Sequence, residues 1–198
     1  MLHTARTVVR WLAALTGAAL LVAGPVMIAV GVSGRHEITR QLSAQQISFP
    51  AKGSAGLPAA EASYAGQQVT TGPQAKAYSD MIETHVMAAT DGKTYSQVSG
   101  TYMTALADKS TPADTLKALS DQRQTAFMGE SLRASLLSAY QAWEVTYLVI
   151  GLGVAFAGIG AVTLLGGTVA LVSARRARKV TVPETAATLT EPGLNVQK

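Results

Sequence analysis

Cysteine is absent from the 198 residues. That excludes a disulfide framework, a cysteine-ligated metal site and a lipidated N-terminal cysteine. Aromatic residues supply only 6% and charged residues 14%, although 48% of the chain is hydrophobic, an unusual balance for a soluble domain. Histidine is equally sparse at three residues, and no Gly-x-Ser-x-Gly step occurs, so a hydrolase built on a serine and an oriented base has no sequence support. Charge itself is missing from two long stretches, Trp11–Val32 and Val145–Val172.

Those uncharged runs hold 22 and 28 residues. As helices they reach about 33 and 42 Å at 1.5 Å per residue, enough to cross a hydrocarbon core of about 30 Å, the second with tilt. The net charge of +4 is gathered beside them: +2 over residues 1–10 from Arg6 and Arg10, −1 over 33–144, and +3 from 173 onward. No basic surface for nucleic acid follows from this distribution. The cluster Arg175, Arg176, Arg178 and Lys179 instead reads as a topology determinant and a contact for anionic lipid headgroups. By the positive-inside rule it places both termini in the cytoplasm, against the weaker counter-signal of Arg35 and Arg40. The organisation expected is a cytoplasmic N-terminus at 1–10, a transmembrane helix at 11–32, an extracytoplasmic domain at 33–144, a second transmembrane helix at 145–172 and a basic, disordered cytoplasmic tail at 173–198. The location is a plasma membrane. The competing reading of residues 1–34 is a cleaved signal peptide, but its apolar run exceeds the about 7–15 residues of such cores.

Trp11 at the inner interface, and Tyr140, Trp143 and Tyr147 at the outer one, are the expected aromatic anchors. Glycine recurs every seventh residue in both runs: Gly17, Gly24 and Gly31, then Gly153, Gly160 and Gly167. Seven residues is nearly two turns, so each set makes one small-residue stripe along which membrane helices can pack closely. An antiparallel hairpin would set Gly17 near Gly167, Gly24 near Gly160 and Gly31 near Gly153. A homo-oligomer or a larger membrane partner is the rival use of either stripe. Pro25 should kink the first helix.

The fold class expected is mainly α: the two-helix hairpin with a small, mostly helical outer domain. Gln45–Phe49 and Gln67–Thr71 are short extended candidates able to pair as a β-hairpin. Pro73 at a first helical position and Gly92 as a stop bracket a helix with Tyr78, Ile82, His85 or Val86, and Ala89 on one face. A second helix covers Tyr95–Ala107. A third starts after Thr111 and Pro112 and runs through Leu132, Leu136 and Tyr140 into the second membrane run.

Candidate chemistry is thin. His85 with Asp80, Glu83 and Asp91 is a poor metal set, since His85 shares a face with Tyr78 and Ile82 while Glu83 points elsewhere; a packed, hydrogen-bonded histidine is the expectation. Asp91-Gly92-Lys93-Thr94 lacks the earlier glycine of a phosphate loop, where Met87 stands. Arg133 reads as a snorkelling or lipid-phosphate contact.

Gln46-Ile47-Ser48, the Gly72-Pro73 step with Ala75, Ala77 and Tyr78, then Ile82, His85, Ala88 and Thr90 through Tyr95, and finally Arg123, Thr125, Met128, Gly129, Leu132, Arg133 and Tyr140 make the chain resemble a family of small two-helix membrane proteins of actinobacteria. Many of these carry the label aromatic ring-opening dioxygenase. The resemblance covers about residues 8–170 and departs at Ser96–Ser120. It implies topology, while the label finds no support in residues able to bring two histidines and a carboxylate to one iron. The function expected is that of a non-enzymatic accessory, assembly or scaffolding subunit of a larger envelope or respiratory membrane complex, without cofactor or metal. Its expected partners are membrane lipids and other integral membrane proteins. The alternative is a sensor coupling the outer domain to the cytoplasmic tail.

Overall fold

The computed structural model describes residues 2–180, with side chains described over 8–169 and at Ser173. The protein is mainly helical: α1 Leu2–Ala44, a 3₁₀ turn Ala59–Tyr64, α2 Gly72–Ala89, α3 Tyr95–Ala107 and α4 Ala113–Val180. Helix α1 continues through Pro25. Within α1 and α4 lie two segments long and apolar enough to cross a membrane. The tail from Thr181 lies outside the described residues.

Local chemistry explains the helix boundaries. Thr71 caps α2 and Thr94 caps α3, each in a reciprocal capping box, with Gln74 and Gln97 returning their side chains to the cap backbone. Helix α2 stops as Asp91 and Gly92 take positive φ of 53° and 73°, and Gly92 N–H donates to the Met87 carbonyl at 2.8 Å, the six-to-one bond of a Schellman turn. Asp91-Gly92-Lys93-Thr94 is thus the hinge between two helices.

The expected β-hairpin is not formed. Among the described residues there is no strand, only an isolated antiparallel bridge between Ser48 and Gln68, held by Phe49 N–H to the Gln67 carbonyl at 2.9 Å and Val69 N–H to the Ile47 carbonyl at 2.8 Å. Gln46 at φ 54° breaks the ladder on one side. Pro50, which has no N–H, breaks it on the other; Thr70 and Thr71 are drawn into the cap of α2.

The chain divides into two compact units, Val26–Gly153 and Met1–Pro25 with Val154–Lys198. The core of the first gathers Leu42 from α1, Phe49 and Val69 from the bridge, Ala75 and Met81 from α2, and Leu136 from α4. Phe49 is its centre, stacked on Tyr64 and edge-on to Tyr78, both at 5.2 Å between centroids; burying such a ring contributes about 1.5–3 kcal/mol. Of the alternatives on α2, Val86 is buried and His85 is exposed. Two glycines set the helix spacing: a Cβ on Gly72 would collide with Trp143, and one on Gly129 with Val86. Gly31 packs on Thr146 and Ile150.

In the second unit, Gly17 faces Gly160 and Thr163, and Gly160 faces the backbone of Gly17 and Leu21. This corrects the expected register by one heptad, since Gly17 meets Gly160 rather than Gly167, which has nothing within 4 Å among the described residues. Stripes of period seven match themselves after a shift of seven, so spacing alone does not choose between the two registers. Gly24 and Gly153 are also buried.

Thermal unfolding of purified full-length variants in mild detergent checks these contacts. Gly72→Ala should cost about 1–3 kcal/mol as an overpacked site, whereas Gly100→Ala, in a helix interior with open space around it, should gain about 0.5–1 kcal/mol. Gly160→Leu should destabilise and Gly167→Leu should not; equal effects would refute the register.

Candidate functional site

Arg35 sits in a cage built by one face of α4. Its guanidinium lies 3.9 Å from the Tyr147 ring centroid and 4.9 Å from that of Trp143, while Nε and an Nη both donate to Thr146 Oγ1 at 3.2 Å. Thr146 in turn donates to the Trp143 carbonyl at 2.7 Å. The spacing of Trp143, Thr146 and Tyr147, at i, i+3 and i+4, puts all three over the same helix turn. The cage thus binds a cation internally at the point where α1 leaves its uncharged run. It also alters the reading of the aromatic anchors: Trp143 is only 7% exposed, packed on Gly72 and Arg35 rather than displayed outward. Tyr147 and Trp11 are exposed and Tyr140 is half-buried. In α4 the cluster Arg175, Arg176, Arg178 and Lys179 is helical in backbone, and its side chains lie outside the described ones.

Arg133 is likewise turned inward. Its side chain is 17% exposed and bridges Glu83 of α2 at 2.6 Å and Glu130 of α4 at 2.9 Å. This is a clamp between helices, not the lipid-phosphate contact expected, and the residue stands twelve positions before Val145, about 18 Å along a helix. Two further carboxylates on α1 and α2 are engaged, Asp80 with Lys76 at 2.7 Å and Glu37 with Arg40 at 2.6 Å and Gln41 at 2.7 Å, whereas Glu61 of the 3₁₀ turn is buried with one carboxylate oxygen unbonded. The Arg40 guanidinium, and next the Gln41 amide, hold the Glu37 carboxyl below its usual range. His36 and His85 are both exposed, so the packed, bonded state expected for His85 is not found. Among the described residues no three His, Asp or Glu side chains gather where one cation could be held.

A groove of about 670 Å³ lies in the same unit. Ile38, Gln41 and Leu42 of α1 with Gln45 just beyond it form one wall and Leu132, Ser135, Leu136, Ser138, Ala139 and Ala142 of α4 another, joined by Ile47 and by Tyr78 and Ile82 of α2. The spacing 38, 41, 42, 45 and 132, 135, 136, 139 is that of one helix face, but Gln41, Gln45 and Ser135 interrupt its apolar pattern, so the sequence marks the groove only faintly. Its volume falls within the about 300–1,000 Å³ typical of small-molecule sites. The chemistry available there is mainly apolar contact, with neutral polar groups from Gln41, Gln45, Tyr78, Ser135 and Ser138 and no charged side chain.

A double-mutant cycle between Arg35→Gln and Tyr147→Leu, read by thermal unfolding, should return a coupling of about 0.5–2 kcal/mol for a cation held over a partly desolvated ring. Strict additivity would show that the cage carries no energy.

Comparison with family models, with curated proteins and with solved structures finds no match to this chain.

Proposed function

We propose that the protein is a non-enzymatic, two-pass integral membrane protein, N-in and C-in, whose α1 and α4 form an antiparallel hairpin and whose outer domain docks other membrane proteins as an accessory or assembly subunit of an envelope or respiratory complex. The observation that carries this reading is apolar surface left open outside the uncharged runs. Met103 and Leu106 on α3 and Phe127 and Met128 on α4 are 55%, 51%, 53% and 53% exposed. The two helices are neighbours, through Tyr95 on Phe127 and Tyr102 under Arg123, and exposed apolar side chains on adjoining helices are what interaction surfaces offer. Membrane location is supported by the apolar segments of α1 and α4 burying only 17% and 11% of their most apolar windows inside the protein, whereas the core helix of a soluble protein is mostly covered. A non-catalytic role is supported by the consumption of Glu83, Glu130, Asp80 and Glu37 in ion pairs. The resemblance to two-helix membrane proteins contributes topology to this reading and no ring-opening chemistry.

One observation favours a second reading, a sensor. Helix α4 runs without interruption from Ala113 to Val180, so a rotation or shift imposed on its outer part has a continuous path along it.

The absence of cysteine makes the topology testable without background. Single Ser54→Cys should react with a membrane-impermeant maleimide on intact cells, and Ser173→Cys only after permeabilisation; the reverse pattern sinks the proposed orientation. Native purification in mild detergent should recover a stoichiometric membrane partner, and Met103→Asp with Met128→Asp should release it. Repeated recovery of the chain alone would end the docking reading. Removal of residues 181–198 should leave partner recovery intact under the docking reading and abolish function under the sensor reading.

A further inference from the structure

The groove between α1 and α4 has three properties that together specify an occupant. None of its thirteen lining residues carries a charge at neutral pH. Three of its five polar side chains are turned to other work, leaving the Gln45 amide and the Tyr78 hydroxyl: Ser135 Oγ donates to the Ser131 carbonyl at 3.1 Å, Ser138 Oγ to the Ala134 carbonyl at 2.8 Å, and the Gln41 amide to Glu37 at 2.7 Å. Hydroxyls bonded back to their own helix offer a passing ligand methylene-like contact rather than donors. The third property is position. The groove extends ten residues along α4, about 15 Å, and its inner end at Ala142 is three residues from Val145, the start of the uncharged run. That is about 4.5 Å along the helix, within the headgroup layer that flanks a hydrocarbon core.

We infer that the groove takes up one aliphatic chain of a lipid from the outer leaflet, entering at the Ala142 end and lying outward between the two helices. A water-soluble ligand of similar size would find no charge and few donors to hold it, and would have to displace water from an apolar wall with nothing to orient it. A lipid chain needs only the apolar wall, and its source is a few ångströms away. The inference rests on α1 and α4 being membrane spans, and it does not depend on a protein partner.

The test uses the full chain in phosphatidylcholine–phosphatidylglycerol vesicles doped with a phospholipid that carries a photoactivatable diazirine in mid-chain, with adducts mapped on peptides after illumination. Adducts are expected on residues 38–47 and 132–142 as well as on 11–32 and 145–169. Ser135→Trp and, separately, Ser138→Trp fill the groove from exposed positions and should abolish the 38–47 adducts while leaving those on the spans unchanged; thermal unfolding confirms that each variant is folded. Adducts confined to the spans, or 38–47 adducts that persist in both folded variants, overturn the inference. Adducts on 38–47 that disappear as protein density in the vesicle rises assign the groove to a second copy of the chain and also overturn it. Failure to label the spans themselves refutes the membrane reading, and so separates that failure from failure of the groove.

Discussion

Where Gly17 faces Gly160, each backbone stands so near the other that a methyl group on either residue would press on a carbonyl oxygen of its neighbour. The same condition recurs where Gly31 meets Thr146, where Gly72 meets Trp143 and where Gly129 meets Val86. Room for a Cβ is therefore the limiting dimension of this molecule. In a lipid environment the consequence is direct, because helices that gain nothing from leaving water must gain from close van der Waals approach, and only the smallest residues permit it. Outside that environment the logic is the usual one of a close-packed interior: α2 can press on α4 because two of the opposing positions carry no side chain.

The Arg35 cage follows from the same close approach. With Gly31 and Gly34 on its α1 side and Thr146 opposite, α1 comes near enough for the guanidinium to lie over two ring faces instead of reaching into solvent. Arg is suited to this because its plane stacks and its forked donors remain free for the threonine hydroxyl. Charge on the outer domain is handled in a consistent way. Arg35, Arg133, Lys76 and Arg40 each have a partner within the chain.

Much of the helical skeleton was legible in the sequence, because caps are local. Pro73, Gly92 and the Thr111-Pro112 step mark helix ends within a few residues, whereas the glutamine-returned caps at Thr71 and Thr94 show only in the fold. What was not legible depends on which of two equivalent local choices the rest of the structure selects. The glycine stripes fit in two registers. Position 85 and position 86 both satisfy a 3.6-residue period, and only packing against Gly129 selects Val86. Trp143 and Arg133 have the composition of lipid-facing residues and are claimed instead by Gly72 and by Glu83, partners 71 and 50 residues away. The extended segments did bridge as the pattern suggests, yet the proline and the left-handed glutamine held that pairing to a single step.

Helix α3 stands apart in how it is secured. Of its thirteen residues only Val98 is buried, with Tyr102 under Arg123 at 4.5 Å and Tyr95 tilted on Phe127 at 5.8 Å as its lateral contacts, whereas α2 buries five. Opening α3 alone would expose little apolar surface and leave the core around Phe49 intact, so its amides belong to a low-free-energy cooperative unit that exchanges hydrogen with water independently of the rest. A segment so loosely coupled can change length and sequence without disturbing what lies below it. The helix that carries Met103 and Leu106 is therefore the one least tied to the core.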